Sequence, residues 1–130
     1  MSEPIADLSE ILASLVVTDR GPYVYLRGAV PADLPRLAEF WEDEGCSVVV
    51  PADAAAAHGD QPGPGETFHC LTLEVHTALT GVGLTALVSG VLAEAGIACN
   101  VVAGYYHDHF LVPADRADQA LALLRALRSA

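Results

Sequence analysis

The sequence predicts an α+β protein built as two tandem ferredoxin-like units, with mainly antiparallel sheets and helices on one face. Three observations carry that expectation. Hydrophobic spacing switches repeatedly between strand and helix periods along the chain. The tetrapeptide Val-Pro-Ala-Asp occurs three times, at 30–33, 50–53 and 112–115. A run that can only be a loop, Gln61-Pro62-Gly63-Pro64-Gly65, divides the chain near its middle. Halves of about 65 residues are too short for a doubly wound sheet and suit paired βαββαβ units. The units are expected at 1–64, the less regular of the two, and at 65–130.

Four apolar stripes at helical spacing come in order along the chain: Leu8, Ile11, Leu12 and Leu15; then Leu34, Leu37, Phe40 and Trp41; then Leu84, Leu87, Val88, Val91, Leu92 and Ala95; then Ala117, Ala120, Leu121, Leu124 and Leu127. β-Branched and aromatic residues mark strands at 23–27, 46–50, 68–75, 97–103 and 109–112. Each Val-Pro-Ala-Asp follows a strand and opens a helical or Ala-rich stretch. Proline there forgoes only an orphan N–H, and the acid lies where the helix dipole favours negative charge. Gly45 and Gly96 each supply a left-handed residue to end a helix before the next strand. The chain thus reads as a βαβ unit on either side of the Pro/Gly loop. In the first unit, residues 51–58 stand where a strand is expected. In the second, Tyr105-Tyr106-His107-Asp108 forms a hairpin between the last two strands.

The 130 residues include 17 acidic and 6 basic side chains, all six arginine, for a net charge of -11. Such a surface repels phosphate backbones and anionic lipid, so neither nucleic acid nor membrane is an expected partner. At 52% hydrophobic residues the chain is no disordered segment. No apolar run approaches the ~20 residues that span a bilayer. Met1-Ser2-Glu3-Pro4 shows no basic or apolar leader pattern. Cys46, Cys70 and Cys99 fit neither a disulfide framework nor a zinc motif; reduced thiols in the cytoplasm are the expected reading.

Few residues suggest chemistry. Gly81-Val82-Gly83-Leu84-Thr85-Ala86 matches G-x-G-x-x-A, yet it lies too far from the preceding strand and has no suitably placed acid, so a dinucleotide site is rejected. A Gly-rich turn at a helix N-terminus still offers backbone N–H groups to a small carboxylate, and equally serves close packing. His107 and His109 share a strand face and could chelate a metal with a third ligand such as His76. A polar hairpin tip is the favoured reading, because no closed ligand set is visible. Ser89, His76 and Glu74 lack a nucleophile elbow. Glu42, Asp43 and Glu44 read as a solvated helix end, with Phe40 and Trp41 anchoring that helix. Arg27 is either a rim ion pair or an anchor for a ligand carboxylate.

The stretch 71–124 resembles the ACT domain. The resemblance lies above all in Leu79-Thr80-Gly81-Val82-Gly83-Leu84-Thr85-Ala86 and in the long run Asn100-Val101-Val102-Ala103-Gly104-Tyr105-Tyr106-His107-Asp108-His109. More narrowly, the chain is similar to small bacterial proteins made of two ACT-like units, with residues 23–50 matching more loosely. The resemblance implies ferredoxin-like units, association through sheets or helices, and amino-acid binding between units. The usual ACT turn, an acid or amide followed by a variable residue and Pro-Gly, falls on Thr80, Gly81, Val82 and Gly83. Thr80 here replaces the acid and Val82 the proline, while the glycine is kept. Asn100 and Val101 match the Asn-Ile that opens the second ACT strand. On this basis a ligand carboxylate is expected at the backbone of Val82, Gly83 and Leu84, supported by the Thr80 or Thr85 hydroxyl. Asn100 or strand carbonyls would accept from the ammonium group.

The leading expectation is a non-enzymatic regulatory or sensor module that binds a small amino acid without a cofactor, as a cytoplasmic homodimer. The high apolar content, spread over thin one-sided sheets, supports a face buried against a second subunit. A ligand-free dimerisation module is the second reading, and a small His-metal enzyme the third.

Overall fold

A computed structural model describes residues 7–28, 30–59, 66–75, 77–78 and 81–128. Helix α1 (Leu8–Ala13) opens at Asp7, whose carboxylate accepts from the backbone N–H groups of Ser9 and Glu10. Strands β1 (Val17–Arg27), β2 (Ala38–Glu42) and β3 (Gly45–Pro51) follow, then helix α2 (Ala52–Ala57). The second half runs β4 (Phe68–Leu73), α3 (Leu84–Glu94), β5 (Asn100–Ala103), β6 (Asp108–Pro113) and α4 (Ala117–Arg125). The six strands form one sheet in the order β2-β3-β1-β4-β6-β5, antiparallel at every junction.

That order explains how two incomplete units make one stable body. Each half places its strands first-third-second, as β1-β3-β2 and as β4-β6-β5. The position beside the first strand, which a fourth strand would occupy in a βαββαβ unit, is filled by the first strand of the other half. β1 and β4 pair from Val17↔Leu73 to Tyr23↔Phe68, with a bulge between Asp19 and Pro22 that absorbs Gly21. The units therefore share a continuous sheet instead of the two separate thin sheets expected.

Alternation along the strands puts all four helices on one face. Leu71 and Leu73 of β4, Phe110 and Val112 of β6 and Val17 of β1 are buried under Ile11, Val88, Leu92, Ala120 and Leu124. On the same face of the other half, Val24, Val48 and Val50 pack with Ala55 of α2. Helix α1 precedes β1 in the chain, yet it covers the core of the second unit. Arg125 of α4 ties that layer down by donating from Nη2 to the carbonyl of Val17 at 3.0 Å. The opposite face carries a smaller apolar cluster around Val49, Cys70 and Leu111.

Two of the three Val-Pro-Ala-Asp repeats behave alike. Pro51 and Pro113 have nearly the same dihedrals (φ -57, ψ 137 and φ -54, ψ 137), and each ends a strand and leads into a helical turn. The third, at 30–33, opens no helix. The stripe Leu34, Leu37, Phe40 and Trp41 is not a helix either; residues 38–42 are strand β2, and Phe40 and Trp41 face Ser47 and Cys46 of β3. Pro35 is the physical reason, since it removes a helical donor and pushes Leu34 out of the α region. As a consequence Asp33 lies in a turn, Glu42 ends a strand, and Asp43 and Glu44 make the β2–β3 hairpin with Gly45 at φ 134. Within residues 51–58, which stand where a strand is expected, the Ala-rich stretch opened by the second repeat is helix α2 (Ala52–Ala57). Gly96 ends α3 as expected, at φ 71, with the Ile97 N–H donating to the carbonyl of Leu92. The central Pro/Gly loop at 61–65 lies outside the described residues.

Gly104 begins the β5–β6 connection, and its N–H donates to the carbonyl of His107 at 2.9 Å. A Cβ built on Gly104 would stand 2.9 Å from that same oxygen, which is backbone and cannot swing aside. Gly104→Ala is therefore expected to cost about 1–3 kcal/mol by overpacking. Urea unfolding of the two proteins checks this; a midpoint unchanged within error would show that the hairpin yields freely.

Candidate functional site

A pocket of about 160 Å³ lies where the Gly-rich turn meets the end of β5 and the start of β6. Its walls are Thr77, Ala78, Gly81, Val82, Gly83, Leu84 and Thr85 on the turn side, Ala103, Gly104 and Asp108 on the hairpin side, and Ile11 from α1. The turn is shaped by two local features. The Gly81 N–H donates to the carbonyl of Ala78, and Gly83 takes φ 107 as N-cap of α3. A Cβ at Gly83 would reach Leu8 of α1 at 3.5 Å, and any side chain there would be strained at that φ. Gly83 has no side chain to satisfy the first-turn N–H groups of α3, and that turn holds no acidic residue. Among the described residues no side chain caps this end, so the helix turns its first-turn N–H groups and positive dipole end towards the pocket.

Asp108 supplies the opposite character. It stands across from Leu73 and Ala103, which puts it on the helix-bearing face. Burial pushes its carboxyl above the usual carboxylate range, while His109, a hydrogen bond from the Thr77 side chain and His107 partly offset this. Among the described residues it is the one titratable group in the pocket wall.

Of the residues singled out in the sequence, Gly81, Val82, Gly83, Leu84 and Thr85 line the pocket. Thr80 lies outside the described residues. Asn100 and Val101 are exposed on the edge strand β5 and do not reach the pocket, whose β5 contribution comes from Ala103 and Gly104. Asp108, Thr77 and Ile11 are wall residues that the sequence reading missed. For Asp108 a signal existed: if His107 and His109 share one strand face, the residue between them must face the helices.

On the other face, His109 belongs to a polar chain rather than a metal site. Arg20 of β1 donates from Nε to Thr72 Oγ1 at 2.9 Å and from Nη2 to Glu74 at 3.3 Å. Thr72 Oγ1, fully buried, lies 2.8 Å from His109 Nδ1. Because Arg20 can only donate, the Thr72 hydroxyl keeps its proton and can point it at Nδ1, an arrangement that fits a neutral His109 protonated at Nε2. Burial, Arg20 and His107 all hold its pKa below 6.5. His107 Nε2 stands 3.9 Å from Glu74. Among the described residues no three His, Cys, Asp or Glu side chains are grouped to hold a metal, and His76 lies outside them. Ser89 donates to the carbonyl of Thr85 within its own helix at 2.6 Å. Burial raises the thiol pKa of Cys70 above its ordinary value.

A fused pair of ferredoxin-like units, with a glycine turn opening the second unit's first helix beside a pocket, defines the class: a tandem α+β module of the kind built from ACT units. Family models described as ACT domain match residues 3–62 and 66–126. The chain belongs to the ACT domain family. A solved structure of a Vibrio cholerae protein of unknown function, VC0802, described as a possible transport protein, is 36% identical, covering 94% of this chain and 96% of its own, with a TM-score of 0.77. Protein Atu0741 from Agrobacterium tumefaciens is 22% identical over 82% of this chain and 81% of its own, at a TM-score of 0.58. The regulatory subunit of aspartate kinase from Thermus flavus shares the fold at 11% identity, with 88% and 97% covered and a TM-score of 0.55. No curated protein matches the sequence significantly. Among the described residues no helix is long and apolar enough to cross a membrane.

Proposed function

We propose that the protein is a non-enzymatic regulatory module whose second unit binds a small amino acid in the pocket at the start of α3. The carrying observation is the pocket's two-ended character, with the start of α3, uncapped by any described side chain, on one wall and, among the described residues, a single carboxylate on the other. A zwitterion matches both ends at once. The volume of about 160 Å³ is comparable to cavities of about 150 Å³ that take a benzene-sized guest, which sets a small ligand. Gly81, Val82, Gly83, Leu84 and Thr85 take the carboxylate end in this reading, with Thr80 in support. Asn100 and Val101, exposed on the edge strand, are left for contacts between chains. The regulatory role of the Thermus flavus subunit, similar only in fold, agrees with this assignment. Free Cys46, Cys70 and Cys99 agree with a reducing, cytoplasmic setting. We take residues 1–64 and 65–130 as the two units.

Thermal-shift or denaturant measurements against the amino acids test the proposal. A true ligand at a hundredfold excess over its dissociation constant should add about 2.7 kcal/mol. Absence of stabilisation by every amino acid at millimolar concentration sinks it.

A second reading, assembly as a homodimer with or without ligand, is favoured by Tyr25, Phe40 and Trp41, exposed 42%, 41% and 80% on the first unit. Sedimentation equilibrium decides it: a monomer at micromolar concentration ends this reading.

A further inference from the structure

We infer that Asp108 holds the ammonium group of the ligand and restricts the pocket to α-amino acids with a small aliphatic side chain. This rests on the amino-acid reading above and goes beyond it by assigning the residue that discriminates and the class that it selects. The argument starts from charge. A carboxylate taken partly out of water needs a cation or a full set of donors. Among the described residues Asp108 has one side-chain donor, Thr77, and no arginine lines the pocket. Arg20, Arg36, Arg116 and Arg125 are engaged by Glu74, Glu39, Gln119 and the carbonyl of Val17 respectively. His107 and His109 flank Asp108 in sequence, but β-strand alternation turns His109 to the other face, where Thr72 engages it. Among the described residues, no positive side chain lines the pocket beside this carboxylate, so its pocket side is open to a cationic group of a ligand.

The same charge makes the pocket selective. An α-hydroxy or α-keto acid offers the helix terminus an equivalent carboxylate but brings no cation to Asp108, whose desolvation then goes uncompensated. Beyond the two polar ends, Ile11, Val82, Leu84 and Ala103 leave apolar wall for the side chain.

The test measures binding of alanine, valine and leucine to the full chain by calorimetry, beside lactate, 2-hydroxyisovalerate and 2-hydroxyisocaproate. The same titrations are run on Asp108→Asn, which keeps an acceptor for Thr77 and removes the charge. At least one amino acid should bind the wild type, its hydroxy counterpart should bind about 30-fold more weakly or not at all, and Asp108→Asn should lose a similar factor. A hydroxy acid binding as tightly as its amino acid overturns the inference while leaving a carboxylate site. So does an Asp108→Asn protein that binds like the wild type, and in that case amino-acid binding itself survives. If none of the three binds while the screen of all the amino acids finds a ligand with a polar or charged side chain, the aliphatic assignment falls, and no binding by any amino acid in that screen removes both this inference and the reading beneath it. The hydroxy-acid comparison needs only the wild type, so it decides the matter even if Asp108→Asn does not fold.

Discussion

Phe110→Ala is expected to lower the unfolding free energy by about 3–5 kcal/mol, the range for truncating a buried aromatic side chain. Among the described residues Phe110 is the largest fully buried side chain, with no exposed surface. It sits in β6, opposite Leu71 of β4 and Val101 of β5, under the layer made by α1, α3 and α4. Strands hydrogen-bonded on both sides hold its backbone, so the floor of the resulting cavity cannot collapse. The roof draws on three helices from both ends of the chain, so no single one can move in without losing contacts elsewhere. Urea unfolding should show a lower midpoint with an unchanged slope. A loss below about 1.5 kcal/mol would mean that the helices repack readily, contrary to a core shared between units.

Thr72→Val is expected to cost about 1–3 kcal/mol although it changes almost no volume. The methyl replaces a hydroxyl that accepts from Arg20 Nε and, in the tautomer above, donates to His109, so one substitution takes a partner from two polar groups at the β1–β4–β6 junction, although Arg20 keeps Glu74. It should also alter the response to acid. In the wild type His109 has a folded pKa below its ordinary 6.5, so the unfolded chain takes up its proton first as the pH falls. The neutral imidazole's contribution is fully present above pH 6.5 and is lost as the pH drops through 6.5 towards the lowered folded value. Removing the donor to Nδ1 withdraws one interaction that favours the neutral ring. Thr72→Val should then lose less additional stability than the wild type between pH 7.5 and pH 5.5. Asp108, with its raised pKa, acts in the opposite sense at lower pH, gaining stability as it protonates. It is common to both proteins, so it cancels in the comparison. Denaturant unfolding of each protein at both pH values measures the effect, and equal slopes with pH would contradict the assigned tautomer.

The residues that proved legible are those whose signal is local. The stripe Leu84, Val88 and Leu92 gave α3 its buried side, and Pro51 and Pro113 turned strands into helices as their fixed φ requires. Gly83 marked the turn that the pocket is built on. The stripe from Leu34 to Trp41 misled because i, i+3 spacing is shared by a short strand with aromatic residues on both faces, and Pro35 outweighed it. The early part of β1 went unread because Asp19, Gly21 and Pro22 look like a turn, while in the sheet they form a bulge.

By itself the sequence determined two related α+β halves, the turn at 81–85 and an acidic, apolar-rich chain. Each follows from interactions within a few residues: hydrophobic period, fixed φ at proline and permissive φ at glycine. Only the tertiary structure decided that β1 and β4 join the halves into one sheet, that α1 roofs the second unit, and that Asp108 faces the glycine turn. Those outcomes depend on which distant strands pair and in what register, and pairing energy belongs to surfaces that meet only when the whole chain has folded.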